Sequence, residues 1–368
     1  MLTKTPTFIP VYQPSLTGNE KKYVNECIDS TWISSKGKFL GLFEDSFKSY
    51  TGVKYATPVA NGTVAIHLAL IALGIGPEDE VIVPTLTYIA SVNPIVQVGA
   101  RPIFVDSERA SWQIDPEDVK RKITPRTRAI IVVHLYGQPA NMDAIMEIAH
   151  EYNLFVVEDC AEAFGSRIRD QHVGTFGDIG TFSFFGNKTV TTGEGGMVVT
   201  NDATLYDRSV HFKGQGLAKH RTYWHDVIGY NYRMTNICAA IGLAQMERAD
   251  ELLQKKIALA RRYDELLAHL PIETHRSARE NVLHSYWMYS ILVPSGLRDS
   301  VIDQLKQTGI ETRPVFYPVH TMPMYSSRYA RHKVAEEIGW RGINLPSWPD
   351  ITDEQLEYIA VALERALI

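Results

Sequence analysis

Between Tyr55 and Asp159 the sequence alternates short, almost unbroken apolar runs with stretches of helical periodicity. The runs fall at residues 55–60, 80–83, 101–105, 128–134 and 154–158, and read as strands. Helical patterns fall between them, at 64–73 (closed by Gly74), at 89–98, from Asp115-Pro116, and at 141–152. A strand apolar at nearly every position is buried on both faces. Short helical connections then predict a parallel or mixed sheet with helices on either side. Such a sheet binds its ligand beyond the carboxyl ends of the strands.

Several chemically able residues fall on that edge. Asn61-Gly62-Thr63 follows the first strand and opens an apolar helix. Free backbone N–H groups there form a phosphate site, although Gly-Thr also serves as a plain helix cap. Tyr88 lies just past the second strand. Asp159 ends the fifth, where a buried carboxylate needs a partner: a helix cap, or the protonated ring nitrogen of a cofactor. In residues 181–196 an aromatic strand breaks at Gly186-Asn187, one lysine follows, and the chain passes through Gly193-Glu194-Gly195-Gly196 into another apolar strand. Lys188 is a surface lysine in a turn on the plainer reading, and a Schiff-base lysine on the sharper one. A helix-start cradle, an aromatic, a strand-end acid and a turn lysine are together what pyridoxal phosphate needs: phosphate donors, packing on the ring, a counter-charge for the ring nitrogen, and an amine for the aldehyde.

The flanking segments give organisation. Thr17-x-x-Glu20 has capping-box spacing and predicts the first helix, to about Ser30. The loop 32–38 carries Lys36 and Lys38, and a second amphipathic helix follows. Residues 213–226 are polar and read as an exposed loop or interface arm. One very long helical pattern, 236–270, predicts a link between a large α/β domain, residues 1–250, and a small C-terminal α/β domain, 251–368. In the latter, residues 313–325 hold prolines and aromatics that pack the domain or wall a substrate. With 45% hydrophobic and 21% charged residues and a net charge of −5, the composition is that of a soluble globular protein without a nucleic-acid footprint. The N-terminal residues lack a signal-peptide core, no run is long enough to span a membrane, and three scattered cysteines fit a reduced, cytoplasmic setting. The twelve histidines form no metal signature.

Asn61-Gly62-Thr63 and the blocks 158–163, 174–178, 183–188 and 192–196 resemble the DegT/DnrJ/EryC1/StrS family, over nearly the whole chain. The resemblance implies a pyridoxal-phosphate sugar aminotransferase with the aspartate-aminotransferase-like (type I) fold. It implies that Lys188 is the Schiff-base lysine, Asp159 the partner of the ring nitrogen, Glu162 (often Gln in the family) the neighbour of O3′, and Tyr88 the stacked aromatic. Gly62, Thr63 and Ser183 match phosphate contacts, and Asn231 matches an asparagine reaching the phosphate from a neighbouring subunit, so a homodimer with shared sites is implied. Stretches 223–236, 311–325 and 341–348 are similar to members that aminate C4 of GDP-4-keto-6-deoxy-D-mannose for O-antigen and lipopolysaccharide synthesis, with L-glutamate as donor. Lys36, Tyr317 and His320 are candidates for sugar or diphosphate contacts, and Arg233 and Arg313 for the glutamate carboxylate.

Three rivals remain. A 3-dehydratase of the same fold carries histidine at the position of Lys188. An aminotransferase for a dTDP- or UDP-linked sugar differs only in the sugar-side stretches. A cofactor-binding regulatory pseudoenzyme sits poorly with an intact Lys188 and Asp159 and no DNA-binding module.

Overall fold

The computed structural model describes residues 8–276, 279–327 and 329–368, so the N-terminal stretch 1–7 read for a signal peptide lies outside the described residues. Five strands appear where the apolar runs predict them: β1 Tyr55–Val59, β2 Glu80–Pro84, β3 Arg101–Val105, β4 Thr127–Val133 and β5 Phe155–Asp159. The short β6 Arg167–Ile168 and β7 Gln171–His172 form a three-stranded patch with β11 Val282–Leu283. β8 Ile179–Ser183 and β9 Gly196–Thr200 complete a seven-stranded sheet in the order β1-β9-β8-β5-β4-β2-β3. The sheet is mixed. β9 runs antiparallel to both its neighbours, and all other pairs are parallel.

Consequently β1, β2, β4, β5 and β8 all point their carboxyl ends to one edge. Two register facts matter for the site. Val133 pairs with Asp159 and Asp159 with Thr181. Gly196 pairs with both Val59 and Ser183.

The apolar runs divide by period two between the faces of the sheet. Val81, Val83, Ile131, Val133 and Val157 pack with α3 Gly62–Leu73, which is buried nearly all round. Ile82, Ile130, Val132 and Val156 turn the other way, against α5 Pro116–Lys122 and α6 Met142–Tyr152. Further along that face Phe182, Met197 and Val199 meet α1 Glu20–Asp29, α2 Lys38–Thr51 and α8 Asn236–Met246. Phe43 and Phe47 set edge-to-face contacts with Phe184 and Phe182 at 5.2 and 5.0 Å. The aromatic strand that leads to Lys188 is thus fixed from below by α2.

The later elements are α7 Ala203–Lys213, α9 Ala249–Leu266, α10 Arg298–Gln307, α11 Lys333–Arg341 and α12 Asp353–Ala366. α7 packs against α3, β1 and β9 of the large sheet, and the others accompany a four-stranded antiparallel sheet, in the order β10 Glu273–Thr274, β12 Tyr289–Leu292, β14 Gly342–Leu345, β13 Arg313–Pro314. Three predicted elements differ. The first helix starts at Glu20, not Thr17, and no side chain caps it. The pattern at 89–98 is a 3-10 turn, Ile89–Ser91, followed by α4 Asn93–Gln97, because Pro94 supplies no N–H to continue one helix. The long pattern 236–270 is two helices. α8 closes in a tight turn in which Arg248 N–H donates to the Gln245 carbonyl at 3.0 Å, and α9 begins at Ala249. Among the described residues no helix is long and apolar enough to cross a membrane.

Candidate active site

A cavity of about 550 Å³ opens at the carboxyl edge of the large sheet. Gly62, Thr63, Tyr88, Asp159, Glu162, Ser183 and Lys188 all line it. One end is built from α3 and β8. Asn61 caps α3, its side-chain oxygen accepting from Val64 N–H at 3.0 Å, and this leaves the N–H groups of Gly62 and Thr63 without a helix partner. The shared partner Gly196 brings that turn against Ser183. A Cβ on Gly62 would stand 2.8 Å from Ser183 Cβ and 3.2 Å from its Oγ, so glycine is what keeps this corner open. Free N–H groups, two hydroxyls and a positive helix end make an anion cradle.

Asp159, at the end of β5, is buried. Its Oδ2 accepts from Ser91 Oγ at 2.7 Å and its Oδ1 from Ala161 N–H at 3.0 Å. Ser91 in turn lies 2.9 Å from the Thr87 hydroxyl, so the loop after β2 orients the carboxylate. Burial pushes the Asp159 carboxyl up, and these donors together with Lys188 pull it back down. Glu162 is also buried. Tyr136 N–H donates to its Oε2 at 2.8 Å, and burial pushes the carboxyl up to about 7 against the pull of Lys188. Lys188 stands between these acids and an indole. Its Nζ lies 3.6 Å from the centroid of the Trp287 ring. Burial lowers its amine, while the Glu162 and Asp159 carboxylates oppose the shift. The turn itself is closed by Lys188 N–H donating to the Phe185 carbonyl at 2.9 Å.

Tyr88 is 55% exposed, with its ring 5.4 Å from that of Phe316 on the loop after β13. Ser91, Thr87, Trp287 and Phe316, which the sequence does not mark individually, also line the cavity. Phe316 lies in the stretch 313–325, read as domain packing or a substrate wall, whereas Trp287 lies in residues 286–293, whose pattern reads as a strand. In fact β12 begins at Tyr289, and Tyr286 adopts φ 50°, a bend that leaves Trp287 facing the cavity.

The remaining candidates do not line the cavity. His320 is buried behind it, with Nδ1 2.7 Å from Thr85 Oγ1 and Nε2 3.3 Å from Glu336, so it braces the 315–321 loop. Tyr317 turns outward, accepting from Arg298 Nη2 at 3.2 Å and packing on Trp340. Arg313 pairs with Glu311, and Lys36 is exposed in its loop. Asn231 is exposed and accepts from Arg233 Nε at 3.0 Å, on a segment bridging to Val59 and Gly214. An anion cradle, a buried acid and an amine, all lining one cavity, fit pyridoxal phosphate.

Comparison with known proteins agrees with this geometry. The profile of the DegT/DnrJ/EryC1/StrS aminotransferase family matches residues 14–364. The chain is 62% identical to the GDP-perosamine synthase of Escherichia coli O157:H7, over 97% of its own length and 98% of the relative's. It is 50% identical to the GDP-perosamine synthase of Vibrio cholerae, over 97% and 98%. Among solved structures, the aminotransferase TlmJ from Streptoalloteichus hindustanus superposes with a TM-score of 0.94 at 28% identity, covering 98% of this chain and 99% of that one.

Proposed function

We propose, from the premise that this chain belongs to the DegT/DnrJ/EryC1/StrS aminotransferase family, that it transfers the amino group of L-glutamate to C4 of GDP-4-keto-6-deoxy-D-mannose, giving GDP-perosamine and 2-oxoglutarate. It is a pyridoxal-phosphate-dependent sugar aminotransferase with the type I fold. The observation that carries the reading is one cavity that holds Lys188 between an anion cradle and the buried Asp159. The high identity to two GDP-perosamine synthases supports the sugar and nucleotide.

Pyridoxal phosphate, when bound, supplies an aldehyde that captures amines and a ring that accepts the electrons left when a carbon loses its proton. Gly62 and Thr63 N–H, with the Thr63 and Ser183 hydroxyls, would hold the phosphate. Asp159, oriented by Ser91, would keep a positive charge on the ring nitrogen. Glu162 would take the ring hydroxyl, and Tyr88 the face of the ring. Lys188 Nζ carries the proton: it takes it from the amine-bearing carbon of glutamate and, in the second half-reaction, delivers one to sugar C4. A carrier must be neutral to accept, and the burial that lowers the Lys188 amine favours that state.

Asn231 and Arg233 are not among the residues that line their own cavity. We assign them to the cavity of a second copy, which makes the enzyme a homodimer with shared sites. The division into a large unit, residues 1–250, and a small one, 251–368, belongs to the same proposal, as does a cytoplasmic location. A substrate panel tests the reaction. With L-glutamate, the GDP-linked 4-keto-6-deoxy sugar should be aminated, dTDP- and UDP-linked ketones should not, and Lys188→Ala should lower turnover by at least about a thousandfold. Amination of only a dTDP- or UDP-sugar would overturn the assignment of substrate.

A further inference from the structure

The Lys188 amine is held by an unusual partner. Among the described residues no hydrogen bond or ion pair reaches its Nζ, which sits over the face of Trp287, 3.6 Å from the ring centroid. The same indole reaches the lysine's turn a second way, because Trp287 Nε1 donates to the Asn187 carbonyl at 2.7 Å. From the N-terminal segment, Tyr12 OH donates to the carbonyl of Lys188 itself at 2.9 Å. Two elements remote in sequence therefore clamp the backbone on which the lysine pivots.

The indole is itself anchored. Trp287 is 6% exposed, and its ring lies nearly parallel to Tyr136 at 6.0 Å. Its carbonyl accepts from Lys256 Nζ at 3.0 Å. Lys256 comes from α9, is fully buried, and also donates to the Ser347 carbonyl. A buried lysine whose described hydrogen bonds both go to carbonyls makes sense as a bracket: it ties the segment bearing Trp287 to the strand end at Ser347.

We propose that Trp287 is a positioning residue for Lys188, whose indole face docks the lysine's free ammonium between proton transfers while its ring N–H fixes the turn that carries the lysine. The proposal rests on the reading of Lys188 as the proton carrier. An aromatic face suits that task because it attracts an ammonium without accepting its proton. After Lys188 takes up a proton, the face and the Glu162 and Asp159 carboxylates hold the cation inside the cavity. Once the proton is delivered, the neutral amine is no longer attracted and can swing away. A carboxylate placed as close as the indole would bind the proton too tightly to pass it on.

The test follows labelling of Lys188 by acetic anhydride as a function of pH, read by peptide mass spectrometry. It is run on the full-length protein loaded with pyridoxamine phosphate, where the amine is free, and in parallel on cofactor-free protein. The pH midpoint reports the proton affinity of the amine, whereas the rate also reports how easily the reagent reaches it. Trp287→Leu removes the face and should lower the midpoint by about half to one unit, a three- to tenfold loss of proton affinity. Trp287→Phe keeps a face without the N–H and should retain the wild-type midpoint. If the leucine variant does not fold, Trp287→Met repeats the comparison without an aromatic ring. A midpoint unchanged in the leucine or methionine variant, or a phenylalanine variant that shifts with them, overturns the proposal. Failure of the substrate assignment alone would leave the midpoints as expected.

Discussion

A carboxyl at position 162 brings a titration that an amide of the same shape would lack. Glu162 has one oxygen tied to Tyr136 N–H, is buried, and holds its proton up to about pH 7. Because its folded value is raised, the folded state keeps a proton between about 4.5 and 7 that the unfolded chain has released. The contribution is fully present below 4.5 and is lost as pH rises through 7. In cofactor-free protein, urea unfolding should therefore show wild type losing stability relative to Glu162→Gln from pH 5 to 8, by on the order of 2 kcal/mol. A constant difference would show that Glu162 is ionised throughout. This residue was legible in the sequence because it follows Asp159 in a recognisable block. Ser91 and Thr87 were not, since nothing local separates the hydroxyls that orient Asp159 from those of any loop. Trp287 was hidden for a related reason: its role depends on a bend at Tyr286, and a β-branched or aromatic run gives no sign of one.

Helix starts show how far local pattern carries. Thr17-x-x-Glu20 and Thr352-x-x-Gln355 have the same spacing, yet only the second is a capping box. Thr352 Oγ1 accepts from Gln355 N–H at 3.3 Å, and Gln355 Oε1 accepts from Thr352 N–H at 3.0 Å. At the first site Glu20 is claimed by other partners: its carboxylate accepts from Gly18 N–H at 2.8 Å and from Gln245 of α8 at 2.7 Å, and the helix begins three residues later. A tertiary contact has displaced the local one. Thr352→Ala should then cost about 1 kcal/mol in urea unfolding, whereas Thr17→Ala should stay within about 0.5 kcal/mol of wild type. Equal losses would return the cap to Thr17. The break between α8 and α9 is a second case. It contains neither Gly nor Pro, and it is held by Glu247, which accepts from Asn19 and Tyr23 of the α1 region. The strands β1 to β5, in contrast, are legible to within a residue or two, because burial on both faces writes an uninterrupted apolar run.

At the scale of the whole molecule, the mixed sheet gathers the carboxyl ends of β1, β2, β4, β5 and β8 at one edge, and the C-terminal region closes it with Trp287 and Phe316. Closing a large interior around these parts also buries histidines. His67, His172, His275, His284, His320 and His332 are each at most 6% exposed. Burial lowers all six, with His172, His275 and His332 brought down to about 4. His275 stacks on Trp112 at 4.2 Å and His284 on Tyr286 at 3.7 Å, packing that leaves little room for a hydrated cation. A lowered folded value means that the unfolded chain binds the extra proton between about 4 and 6.5, so stability falls as pH falls through that window. Each histidine kept neutral adds a slope of up to about 1.4 kcal/mol per pH unit there, and Glu162 opposes it as one group against six. The urea midpoint should hence drop steadily from pH 7 to pH 5 at constant m-value. His172→Phe isolates one term. Among the described residues His172 Nε2 has no hydrogen-bond partner, and a phenyl ring preserves the contact with Tyr50 at 4.9 Å. Its unfolding free energy should depend on pH less steeply than that of wild type, by up to one proton's worth. A slope unchanged in His172→Phe would mean that this histidine accepts its proton within the fold, and that the acid sensitivity arises elsewhere.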